Sequence, residues 1–341
     1  MKSKAMVRLS WLALALLPSL GCSSPGGGAA DGGHEHGHHD EDLAVARPPS
    51  PGGPARLSET GLYADIKARR LAPGILAFSP AHELWVDGAG KARWLLLPAG
   101  TKIDTSRPDE WRFPIGTKAW KQFTIGGRLV ETRILEKKKE GPAGWWQVAY
   151  LWLADGSDAV AVPDGAPDAL GTRHDVPSQE DCGRCHDGVS DVLIGVSAIQ
   201  LSDGGKGLLG RLAAQGALTH PPAGELRVPG TGTVQAALGY LHGNCGNCHN
   251  DRFTNRHPIA LRLQLRSGDR VPEGTAAYGT IFGQAFHNLD GVRQIVVRGR
   301  PEASQLWTRM AARGDVQMPP LGTEVVDAAG TRLIGDWIRG L

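Results

Sequence analysis

Two short stretches hold residues able to do chemistry, EDCGRCHDG at 180–188 and YLHGNCGNCHN at 240–250. Each is a Cys-x-x-Cys pair with histidine directly behind it: Cys182, Cys185 and His186, then Cys245, Cys248 and His249. Three chemistries use such pairs. Zinc needs four closely grouped ligands, and the 63 residues from Cys182 to Cys245 are a long separation for a ribbon. Thiol exchange needs one pair in a thioredoxin-like βαβ setting, and no such pattern is present. Covalent haem attachment uses two thiols at this spacing, one per vinyl group, and the next residue's imidazole ligates the iron. Only the last explains both histidines. With 12 histidines in 341 residues, two such placements arise by chance roughly once in a thousand pairs of motifs. The expected cofactors are therefore two haem c groups. Cys182 and Cys185 would hold the first, with His186 as axial ligand; Cys245 and Cys248 would hold the second, with His249.

The far side of the second haem is readable too. MPPLG, 318–322, falls between the last two helical segments. The Met318 thioether there is the expected sixth ligand, a soft donor that raises a haem potential. Met310 shares a helix face with Leu306 and reads as core. The first motif has no methionine before the second begins. His220, His242, Met310 or an open position remain for it.

Helical patterns must position these residues. GLLGRLAAQGAL (207–218) and VQAALGYLHGNC (234–245) suit helices. PEASQLWTRMAA (301–312) starts on Pro301, a favoured first position. The last segment, 327–341, opens at Asp327, a good N-cap, and carries one apolar stripe of Leu333, Ile334, Trp337, Ile338 and Leu341. Helix, Cys-x-x-Cys-His, connection, helix, methionine loop, helix is the plan of a class I cytochrome c lobe. In it the first helix would cross the last, small Ala237 lying under a large residue such as Trp337.

Ahead of the motifs lies a β-rich stretch. ELWV (83–86), ARWLLL (92–97), KAWKQFT (118–124), LVETRIL (129–135), WQVAYLWL (146–153) and DAVAV (158–162) read as strands. Asp87-Gly88, Gly126-Gly127 and Asp155-Gly156 read as turns. Tryptophans 85, 94, 111, 120, 145, 146 and 152 fall here, and core filling is favoured over a sugar-binding face. Lys137-Lys138-Lys139 reads as a solvated strand end.

The N-terminus concerns location. Lys2, Lys4 and Arg8 precede an apolar run from Leu9 to Leu20, shorter than the about 20 apolar residues of a spanning helix. This reads as an export signal over 1–21. Cys22 follows Leu20-Gly21 as the lipidated cysteine follows in bacterial lipoprotein signals, although Ser19 stands where such signals usually carry leucine. Plain secretion with an incidental Cys22 is the alternative. With Cys22 set aside, the remaining four of five cysteines make two pairs and leave no odd thiol. Residues 22–58 are Gly-, Pro- and His-rich, too polar to repay their ordering entropy. As a coil they reach roughly 30 Å, enough to hold a domain off a membrane. His34, His36, His38 and His39 read as incidental to a soluble spacer. A net charge of +2 gives no footprint for nucleic acid.

From about 57 to 341 the chain resembles exported bacterial diheme c-type cytochromes with an N-terminal β-rich region. The resemblance rests on LSETGLY (57–63), ELWVDGAGKARWLLLP (83–98), FPIGTKAWKQF (113–123), VETRIL (130–135), PSQEDCGRCH (177–186), YLHGNCGNCH (240–249) and MPPLGTEVVD (318–327). It implies electron transfer between redox partner proteins in the periplasm, as a carrier and not an enzyme. A diheme peroxidase is the alternative, but such enzymes carry motifs much farther apart. A haem-bearing binding subunit of a dehydrogenase is compatible with the main reading. The expected fold is α+β and multidomain: linker 22–58, a sandwich-like β-rich domain 59–170, a first haem-binding segment 171–231, and a cytochrome c-like lobe 232–341 around the second haem.

Overall fold

The computed structural model describes residues 52–202, 207–224, 226–252, 260–283, 285–289 and 292–341. The signal segment, Cys22 and the histidines at 34–39 lie outside them. The fold is mixed α+β. In chain order its strands are β1 (Tyr63–Asp65), β2 (Arg70–Leu71), β3 (Leu76–Phe78), β4 (Gly90–Leu96), β5 (Lys118–Ile125), β6 (Arg128–Lys137), β7 (Trp145–Trp152), β8 (Ala159–Ala161), β9 (Ala285–Leu289) and β10 (Val292–Gln294). The helices are α1 (Gln179–His186), α2 (Leu208–Ala214), α3 (Gly232–Asn244), α4 (Ala276–Gly283), α5 (Gln305–Ala311) and α6 (Ala328–Arg339).

Strands β3 to β8 form one antiparallel meander, each paired with the next in sequence. Gly126 and Gly127, at φ 55° and 83°, make the two-residue β5–β6 turn, whose primed geometry needs left-handed backbone at both positions. Alternation then sorts the side chains. Trp94, Trp120, Ile134 and Val148 stand in cross-strand register on one face, over a core with Leu57, Leu62, Tyr63, Tyr150 and Trp152. Leu95, Ala119 and Leu135 point the other way, into a core with Trp111, Phe113, Val192, Leu193 and the α2 leucines. A third core joins α3, α4, α5 and α6. The described residues belong to one compact unit.

Three expectations need correction. No second large sheet faces the meander among the described residues, so its covers are the 57–71 segment on one face and residues 192–201 with 208–212 on the other. The segment after the first motif is therefore packed on the sheet. ELWV is not a strand; residues 83–86 are irregular and cross to the helical region. Lys137 is not solvated: it is 2% exposed, with Nζ 2.7 Å from Asp191 Oδ2. Ala237 and Trp337 share a core as expected, and α3 and α6 also meet closely in the reverse pairing, a small residue of α6 under a large one of α3. A Cβ on Gly330 would lie 2.3 Å from Tyr240, whose hydroxyl donates to Asp327 at 3.0 Å. The tryptophans behave as expected, with 94, 111, 120, 146 and 152 buried. Asp327 caps α6 by accepting from the Gly330 amide.

Candidate functional site

The first motif is itself helical. Ser178 caps α1 by accepting the Asp181 amide at 3.2 Å. Cys182 and His186 are four residues apart on this helix, so they sit one above the other. His186 Nδ1 lies 2.6 Å from the Val192 carbonyl. A carbonyl only accepts, so Nδ1 carries the hydrogen and Nε2 presents a lone pair. Burial pushes this imidazole down to about 4, keeping it neutral, although the Val192 bond works in the opposite direction. Those are the protonation state and tautomer of a metal-binding histidine with its second nitrogen anchored.

Val192 is held in turn by the sheet. Buried Asp191 accepts from the Phe113 amide at 2.6 Å, Lys137 Nζ at 2.7 Å and Trp145 Nε1 at 2.8 Å. Asp191 and Val192 take φ 49° and 56°, strained for residues with a Cβ. The three donors offset that strain and fix the carbonyl that His186 meets.

The second motif continues from α3. The Cys245 amide donates to Leu241 O at 2.9 Å, and the His249 amide to Cys245 O at 2.8 Å. Beside it is an apolar cavity of about 80 Å³, partly open to solvent. Cys245, His249 and Met318 all line it, with Leu261, Leu263, Ile295, Leu306 and Met310. Burial pushes the Cys245 thiol up to about 12. The Met318 amide donates to Arg309 O at 3.0 Å, and Gln317 Nε2 ties the loop to Pro319 O and Thr323 O.

Residues 81–87 strap this region to the sheet. Closest approach falls at Gly239 and Gly243 of α3, where a Cβ would lie 2.4 Å from the His82 ring and 2.6 Å from its carbonyl oxygen. The Trp85 amide donates to Asn244 Oδ1, and its indole, also lining the cavity, donates to Val325 O. Asp87 accepts from Thr323 Oγ1 and from the Glu324 and Val325 amides, at 2.7–3.1 Å. Sequence reasoning missed this role, because ELWVD carries no periodicity that distinguishes a strap from a strand.

The two motifs meet. The Cys185 and Cys248 thiols come together, and this contact pushes the Cys185 thiol down to about 7 and the Cys248 thiol up. Among the described residues no group of three or more His, Cys, Asp or Glu side chains could hold a metal ion, so the four thiols do not form a zinc-type cluster. No described helix is long and apolar enough to cross a membrane.

The remaining sequence candidates have other occupations. Exposed His220 exchanges hydrogen bonds with Thr105 through its backbone. Met310 lines the second motif's cavity. His242 is buried; its Nδ1 lone pair accepts the Leu265 amide at 3.1 Å, and its ring meets His82 edge-on at 6.3 Å. Comparison of the chain with protein-family models, curated proteins and solved structures finds no match.

Proposed function

We propose that this chain is an exported diheme c-type cytochrome that passes electrons between redox proteins. The observation that carries the reading is the shared cavity. Cys245 and His249 sit at its wall with Met318, which is remote in sequence but faces the same apolar space. The anchored tautomer of His186 makes the same case at the first motif. When bound, each haem would supply a reversible one-electron couple. The chain's own residues do the rest: Cys182, Cys185, Cys245 and Cys248 attach, His186 and His249 ligate, and Met318 completes the second site. The apolar side chains of the cavity wall would lower the polarity around the group. The contact between Cys185 and Cys248 puts the two attachment sites side by side, so the carriers would be neighbours.

The export signal and Cys22 make the periplasm the location, with a lipid anchor at Cys22 holding the chain to a membrane through the 22–58 linker. Intact mass tests the central reading. Two haem additions that survive acid–acetone extraction are expected. The Cys185–Cys248 contact favours one other reading, a disulfide across the motifs. A colourless protein whose mass drops by two hydrogens on oxidation would establish that instead.

A further inference from the structure

Met318 stands on a loop, residues 313–325, between α5 and α6. A loop holds a side chain only as firmly as its own two ends are tied. Inside this one, Gln317 accepts from the Gly314 amide at 3.0 Å and donates to Pro319 O and Thr323 O. Those bonds begin and end within the loop. Arg313 reaches beyond it. Its Nη1 donates to Met310 O at 3.3 Å and to Ala312 O, carbonyls at the C-terminal end of α5. Its Nη2 donates to Val325 O and lies 3.5 Å from Thr323 Oγ1. One planar guanidinium thus bridges the end of α5 to the last residues before the Asp327 cap of α6. The receiving end is fixed from the strap as well. Val325 O also accepts the Trp85 indole at 3.1 Å, and Asp87 accepts Thr323 Oγ1 at 2.7 Å. Arg313 lines the same cavity as Met318. Among the described residues no carboxylate pairs with it; Asp327, the carboxylate of that wall, is engaged by Tyr240 and the Gly330 amide. The guanidinium is committed to the loop and not to an ion pair.

We propose that Arg313 is a positioning residue for Met318: by bridging the two ends of the loop it sets how often the thioether leaves the axial position of the second haem. The inference rests on the haem reading of the second motif. With the bridge intact, charge-assisted bonds at both ends must break before the loop can swing Met318 out of the cavity. Without it, closure depends on Gln317 and the strap alone. The open fraction then rises, and a small ligand competing for the axial position gains affinity by the same factor. Lysine is no substitute, because a single ammonium keeps the charge but lacks the fork that spans both ends.

Imidazole titration of the full-length protein carrying both haems tests this. Loss of the thioether-to-iron charge-transfer band is the readout, since it reports Met318 alone. Arg313→Lys should bind imidazole roughly tenfold tighter than wild type, the scale of one lost charge-assisted bond. Thr323→Val removes the Asp87 bond from the end that Arg313 grips and should give a smaller rise in the same direction. In a Met318→Ala background, followed by the visible haem spectrum, Arg313→Lys should add nothing, because no thioether remains to be held. Unchanged imidazole affinity in Arg313→Lys with both haems attached, even at a lowered Tm, would overturn the proposal, since the residue would then be structural only. So would an equal rise with Met318 absent. If Arg313→Lys fails to fold, Thr323→Val decides alone, and an affinity equal to wild type sinks the idea. Wild-type protein lacking the charge-transfer band is a distinct failure, that of the reading beneath.

Discussion

Asp191→Asn, alone and with Lys137→Met, probes how the sheet positions the first motif. Asp191 and Lys137 are 4% and 2% exposed, and their charges are 2.7 Å apart. Asparagine keeps the left-handed backbone that Asp191 adopts, but its single carboxamide oxygen can accept from Trp145 or from Phe113 and not from both, since these donors meet different Asp191 oxygens. The charge is lost together with one acceptor, leaving Lys137 buried with only the exposed Glu140 at 3.8 Å. Breaking such a pair costs about 3–5 kcal/mol. In a unit this size that lowers Tm by roughly 6–20 °C. Lys137→Met leaves Asp191 with two neutral donors and should cost less, about 1–3 kcal/mol. Adding it to Asp191→Asn removes the stranded cation, so the double variant should fall short of the summed singles by about 2 kcal/mol or more. Urea unfolding of the four proteins measures this coupling. The first-motif haem should also show a perturbed axial-imidazole signature in Asp191→Asn, because Val192 loses its anchor. Additive losses, within about 0.5 kcal/mol, would refute the account of Asp191 as a charge partner.

Three further outcomes follow from separate features. Burial alone would raise the Glu131 carboxyl, but Arg133 and the bond to His174 outweigh it and hold it below its ordinary 4.5. Its stabilisation is thus complete above that value and is lost as pH falls through the lower folded one. Melting curves from about pH 7 to about pH 3 should show Glu131→Gln destabilised by about 3–5 kcal/mol at neutrality, with the gap to wild type narrowing in acid. Gly330→Ala should cost about 1–3 kcal/mol by forcing α6 off Tyr240, read as a lower Tm. Met318→His should abolish the thioether-to-iron charge-transfer band and lower one midpoint by on the order of 0.1 V, leaving the other nearly fixed.

Local chemistry was readable in the chain where it decides structure locally. Gly126-Gly127 dictates a hairpin, Asp327 a helix start, and the stripe through Ile334 and Trp337 a buried face, and all three are found. The motif residues were identifiable because Cys-x-x-Cys-His is a spacing within one turn of helix. What stayed hidden depends on partners distant in sequence. Lys137 looked solvated because Asp191 lies 54 residues away. ELWV has strand-like residues, yet Trp85 finds a cavity wall and Val325 rather than a neighbouring strand. α1 escaped notice because QEDCGRCH buries no residue fully, so no apolar period marks it. The meeting of Cys185 with Cys248 is a long-range contact between two segments that each look complete alone.

The strap has a consequence for the order in which the molecule is made. Trp85 and Asp87 leave the ribosome, and cross a membrane if exported N-terminus first, well before Asn244, Thr323 and Val325 exist to receive them. Until residue 325 has followed, the strap can fasten only to α3, through Asn244, Gly239 and Gly243, and the Trp85 indole and Asp87 lack their partners at 323–325. Any group destined for that cavity thus has an interval for loading that ends when the last helix docks. A chain cut just before the methionine loop would remain permanently in the loading state, and one lacking residues 81–87 would load but fail to close.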